Sequence, residues 1–379
     1  MSEYQYYEFQ AIDRPLSTKE MDVLRSYSTR ASITPTSFVN EYSWGDFKGD
    51  ADAWMEKYFD AFLYLANWGT HILKLRLPAR LIDPSIARTY CGGEGASIRE
   101  KAGKVILSFL SDDEEGGDWT EGEGQLSSMI SVRAELARGD LRALYLAWLL
   151  RAQSSELDDD DAEPPVPPGL GQLSASLESL AEFLRIDSDL LHVSAEASSP
   201  ISEVRIDRKE VATWIGQLPT REKDQILTSL VVDADQTHAT ELLQRFVEER
   251  GGGQDRPVTT GRTVGELLRA AEEYGSERSR VEAERRAKEK ARRDREAAIA
   301  REKHLDSLVG REKELWGEVD ALVSSKQPKC YDQAVGILVD LRDLAARDKA
   351  GAFTLRIEAL REAHAKKPSF IPRLAKAGL

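Results

Sequence analysis

Apolar residues recur at every second position through much of the first 110 residues, and at every third or fourth position in nearly all that follows. This change of period constrains the fold most, because period two belongs to strands and period 3.6 to helices. Tyr7, Phe9 and Ala11 point one way while Glu8 and Gln10 point the other, and Leu73, Leu75 and Leu77 alternate with Lys74 and Arg76 in the same manner. Residues 37–42 read as a further strand, and residues 97–100 and 104–110 as a hairpin turned at Ala102-Gly103. Two helices interrupt the strands. Ser17-Thr18-Lys19-Glu20 is a capping box, with Leu16 and Met21 placed for a hydrophobic staple. Asp50 caps a second helix whose expected apolar face is Trp54, Tyr58, Phe59, Phe62, Leu65 and Ala66. Strands with one polar face and two helices predict an α+β domain: a mostly antiparallel sheet with helices on one face, of ferredoxin-like type.

The remainder reads as all-α. Leu126, Met129, Ile130, Leu136, Leu141, Leu144, Tyr145 and Trp148 fall at helical spacing, with a break at Gly139-Asp140. An acidic and proline-rich loop follows at 154–169, then short helices near 173–185, 209–217, 221–231 and 240–249, then the linker Gly251-Gly252-Gly253. Thr263-Val264-Gly265-Glu266 is a second capping box and opens a helix to about residue 323, on the order of 90 Å if unbroken, with Gly275 and Gly310 as candidate interruptions. Residues 277–303 are nearly all charge and alanine, so this stretch is expected to be solvated on most sides. Helices at 331–346 and 353–364 complete a small C-terminal bundle. The expected domains are 1–115 (α+β, left through the acidic run 112–118), 125–250 (helical) and 262–379 (long charged helix and bundle).

Two stretches carry a resemblance. Glu3-Tyr4-Gln5-Tyr6-Tyr7-Glu8-Phe9 with Asp13-Arg14-Pro15-Leu16, and Trp44-Gly45-Asp46-Phe47-Lys48-Gly49-Asp50, resemble a family of bacterial proteins of uncharacterised function, over most of the chain. Residues 331–379 are similar to the C-terminal tails of bacterial proteins carrying a SWIM-type zinc finger, and to one helical hairpin of tetratricopeptide type. The closely spaced cysteines of the finger have no counterpart here. The resemblance implies a bacterial origin and brings no activity with it.

Composition narrows the function. A net charge of −14 disfavours a protein that coats nucleic acid, since phosphate binding needs a positive footprint. The most apolar run, residues 141–150, is about half the length of a membrane span. The opening residues have no basic n-region or apolar h-region, and Cys91 and Cys330 make no disulfide framework, so the cytoplasm is the expected compartment. His71, His192, His238, His304 and His364 lie too far apart in sequence for a structural zinc site, and no metal or cofactor is expected. Cys91, before Gly92-Gly93-Glu94-Gly95, would need a base such as His71 beside it to act as a nucleophile, and a structural role is the simpler expectation. The glycine runs lack the Gly-Lys-Ser/Thr continuation of a phosphate loop.

Three surfaces remain. The loop around Trp44, Asp46 and Phe47 offers carboxylates (Asp46, Asp50, Asp52) for a hard cation, or rings to stack on a ligand; alternatively it is a turn that tucks Trp44 and Phe47 inwards. Arg278, Arg280, Arg285, Arg286, Lys288, Lys290, Arg292, Arg293 and Arg295 form the one basic concentration, interleaved with carboxylates and free of aromatic residues. Leu315, Trp316, Val319, Leu338, Leu344 and Phe353 exceed the obvious needs of one hairpin and are the expected partner-binding residues. The reading is a non-enzymatic interaction or scaffold protein that binds a protein partner. The alternatives are an enzyme with its site in the aromatic N-terminal domain, and a nucleic-acid accessory factor using helix 278–295.

Overall fold

A computed structural model of the 379-residue chain describes residues 3–113, 121–201, 207–232, 237–249, 257–325, 327–348 and 352–379. Two compact units result, residues 1–278 and 279–379. Most of the expected acidic exit at 112–118 and the glycine run at 251–253 lie outside the described residues.

The first unit opens β1 (Gln5–Gln10), α1 (Thr18–Tyr27), β2 (Ser32–Thr34), β3 (Ser37–Tyr42), α2 (Ala51–Lys57) and β4 (Ala61–Ala66). It continues with β5 (His71–Pro78), α3 (Pro84–Tyr90), β6 (Ala96–Lys101) and β7 (Lys104–Ser111). The strands form one antiparallel sheet in the order β2-β3-β1-β4-β5-β7-β6. Because β3 and β4 both run antiparallel to β1, they are parallel to each other with β1 between them. The opening βαββαβ string therefore has the split arrangement of a ferredoxin-like unit, and β5, β7 and β6 extend it. The capping box at Ser17 and Glu20 is complete, and Asp50 accepts from the Asp52 and Ala53 amides at the start of α2.

One expected helix is partly a strand. The helix from Asp50 stops at Lys57, and Phe62, Leu65 and Ala66 belong to β4, between β1 and β5. Ala61-Phe62-Leu63-Tyr64-Leu65-Ala66 is apolar on both faces because both faces are covered, and a continuous apolar run carries no period to separate strand from helix. Phe62 meets Phe9 at 4.3 Å and shares one cluster with Trp54 and Phe59, while Leu63 and Leu65 belong to the cluster on the other face.

The sheet is covered on both sides, because Leu63, Leu73, Leu75, Leu107 and Phe109 pack against the helices that follow it. These are α4 (Gln125–Met129), α5 (Ser131–Ala137), α6 (Arg142–Gln153), α7 (Ala175–Phe183) and α8 (Ser188–Glu196). The polar alternates of β5 do not face water; Lys74 pairs with Asp52 at 2.5 Å and Arg76 with buried Asp60 at 2.6 Å. The hydrophobic core thus continues past residue 115 without a boundary.

The proline-rich stretch is also packed rather than looped out. Asp158 to Asp161 are exposed, but Glu163, Pro164, Val166 and Pro167 are buried, and Val166 forms a β-bridge with Val258. The fully buried Glu163 carboxylate accepts from the hydroxyls of Tyr145 and Thr260 and from Arg262 at 2.8 Å. Three helices, α9 (Arg208–Gln217), α10 (Thr220–Val232) and α11 (Thr237–Glu249), gather around Trp214, Leu218 and Phe246.

Helix α12 (Val264–Leu308) starts in the first unit, where Val264, Leu267 and Ala271 join the main core, and continues into the second. It ends at Gly310, whose φ of +80° is a left-handed stop that glycine adopts without strain; Gly275 leaves the helix unbroken. The second unit adds α13 (Glu312–Ser324), α14 (Pro328–Asp348), α15 (Ala352–Ala363) and α16 (Ile371–Lys376). Among the described residues no helix is long and apolar enough to cross a membrane.

Candidate functional site

The Trp44 loop divides its residues between core and solvent. Gly45, at φ +81°, turns the chain so that Phe47 stacks on Tyr7 at 5.0 Å and meets Trp54 edge-on at 4.8 Å. Trp44 does not tuck in. It is 68% exposed, and the Arg30 guanidinium lies 4.9 Å from its ring centroid. The Asp46 carboxylate accepts from the Tyr7 hydroxyl at 3.0 Å and from the Phe47 amide at 2.7 Å. Burial, joined by Tyr64 and Asp46, pushes the Tyr7 phenol well above its usual range, so Tyr7 stays a donor. The three carboxylates considered for a cation are separately committed: Asp46 to Tyr7, Asp50 to the α2 cap and Asp52 to Lys74 and Arg99. Among the described residues no group of three potential ligands converges.

Cys91 and His71 are both structural. The Cys91 thiol is buried, and that burial pushes its pKa up to about 12 against a smaller pull from Arg151, so almost none is thiolate near neutrality. His71 donates from Nδ1 to the Phe183 carbonyl at 2.8 Å and accepts at Nε2 from Arg185 at 3.0 Å. Burial lowers its pKa and keeps the ring neutral, with Arg185 acting in the same direction. Neither nitrogen is left to serve as a base.

A charged cluster that the sequence does not announce lies at one end of the sheet. Asp60 accepts from the Ile12 and Asp13 amides at 2.7 and 2.9 Å and from Arg76. Asp13 pairs in turn with Arg133 of α5 at 2.6 Å, and Arg133 Nε donates to the Arg76 carbonyl at 2.7 Å. Burial alone would raise the Asp60 pKa, but the Arg76 and Arg133 guanidiniums outweigh it and hold the carboxyl below its usual range. Every charge faces an opposite one, so the cluster ties α5 to the sheet.

The expected partner-binding residues are interior. Leu315, Trp316, Val319, Leu338 and Leu344 are buried, and Phe353 is half-buried against Trp316 at 5.8 Å. The second unit consumes them because Leu305 and Leu308 of α12, together with Phe370 and Leu374 in the tail, enlarge the core beyond one hairpin. Core and interface helices share one periodicity, which is why spacing assigns these residues to the wrong surface.

The middle of α12 is exposed to solvent. From residue 276 to residue 300 no side chain is buried, and only Glu282 is partly covered. Arg286 pairs with Glu282 and Arg293 with Glu289, both at 2.6 Å and one turn apart. No protein-family model matches the chain, and no curated protein or solved structure matches it either.

Proposed function

We propose that the chain is a non-enzymatic adaptor that acts by binding another protein, with the exposed middle of α12 as its partner-facing element. The exposure of residues 276–300 supports this reading. A helix that buries nothing gains no stability from packing and is held by propensity and side-chain pairs alone. Such a helix is favoured where it presents side chains outward. The environment of Cys91 and His71 agrees, since each is committed to the fold rather than poised to react.

The test places a photo-reactive residue at Ala287 or Ala291 in the full chain, with a control at exposed Lys19 of α1. Illumination in cells of the source organism should give discrete protein adducts from the α12 positions and none of these from Lys19. Identical adducts at all three positions, or none at either α12 position, would sink the adaptor reading.

A further inference from the structure

The charges along exposed α12 are not distributed evenly around it. Successive residues turn by about 100°. Glu282, Arg286, Glu289, Arg293 and Glu296 accordingly gather on one side, where the two close ion pairs occur. About 100° around the helix from that line runs another, Val281, Arg285, Lys288, Arg292, Arg295 and Ile299, at intervals of four, three, four, three and four residues. All six side chains are exposed, including Val281 at 55% and Ile299 at 45%. Among the described residues no carboxylate pairs with Arg285, Lys288 or Arg295, and Arg292 reaches Glu296 only at 3.8 Å. The first line is therefore self-neutralised, while the second carries four cations within about 15 Å.

We infer that this line is the seam for an acidic partner helix, with carboxylates opposite Arg285, Lys288, Arg292 and Arg295 and apolar residues opposite Val281 and Ile299. The alternation of three and four is the interval at which one helix meets another along a seam. Four cations at inner seam positions reject a second copy of the same helix, whose own cations would face them. They accept a helix of opposite charge. The apolar side chains at the two ends favour a protein over phosphate, which has nothing to offer them. The line also lacks aromatic rings to stack on bases. Two apolar residues in the line are too few for a membrane-lying helix, which needs a continuous apolar face.

The inference rests on α12 being the partner-facing element and adds the chemistry of the partner. The experiment titrates the full chain into a fluorescent peptide of about 25 residues, long enough for three turns or more. The peptide carries Glu at the four inner seam positions and Leu at the two outer ones. Binding should weaken with added salt and vanish for a peptide with Lys in place of Glu. The variant Arg285→Gln, Lys288→Gln, Arg292→Gln, Arg295→Gln should bind roughly tenfold more weakly or worse, on four exposed charge pairs. Glutamine keeps helix propensity, and circular dichroism matching the parent would show that the variant is folded. Equal binding by parent and variant, salt-insensitive binding, or no binding to the parent overturns the inference. Tighter, stripe-dependent binding of a short DNA duplex overturns it in favour of phosphate. Cross-links from Ala287 to a partner with no acidic helix would keep the adaptor reading and remove the acidic seam.

Discussion

A guanidinium can be buried only if its charge is met there, because stripping water from an unpaired ion is expensive. Arg76 meets that condition through Asp60, with side chains 8% and 1% exposed. Arg76→Met is expected to cost about 3–5 kcal/mol at pH 7, since it leaves Asp60 charged and short of its main partner. Chemical denaturation measures the loss. The pH dependence adds a second check. The folded Asp60 pKa lies below its unfolded value, so its contribution is complete above about pH 4 and fades as pH falls through the folded pKa. The gap between parent and variant should therefore narrow in acid; a gap that is constant down to pH 2 would mean that Asp60 is not the partner that matters. Position 76 was legible as a strand residue on the side opposite Leu75, but its role was not. Alternation reports which side a residue takes, and only the fold reveals that Asp60 waits there.

Elements were legible where two signals agreed and illegible where one stood alone. The helix at Thr18 had a cap, a box and a staple, and all three are present. Strand β4 had only an apolar run after a well-capped helix, and helical spacing absorbed it. Helix α12 offered one further signal, Gly310, and a quantitative question. In a continuous helix from residue 264 to residue 323, Gly310→Ala would stabilise by about 1 kcal/mol, the helix-propensity difference. With Gly310 at φ +80°, the same change should destabilise by about 1–2 kcal/mol, because a Cβ in the left-handed region is strained. A Cβ there meets nothing within 4 Å, so the sign reports backbone alone. Thermal unfolding of the variant decides it, and a stabilised protein would mean that α12 and α13 are one helix.

At the scale of the whole chain, the acidic run near residue 115 was the natural place to divide it, and the division falls elsewhere. Leu75 and Leu107 of the sheet share one cluster with Leu126, Leu144, Leu177 and Val264, whereas the second unit has its own cluster, from Leu305 to Leu379. Low-complexity charge marks what the chain cannot bury locally, and it does not show where a core ends. Cooperativity follows the cores, because residues packed together unfold together. Calorimetry of the intact chain should therefore show two transitions rather than one or three. Leu75→Ala and Leu338→Ala, both fully buried, should each cost about 2–5 kcal/mol and move different transitions. Additivity in the double variant follows, since the two positions share no hydrophobic cluster. A single transition that both substitutions lower would instead mean that α12 transmits unfolding from one unit to the other.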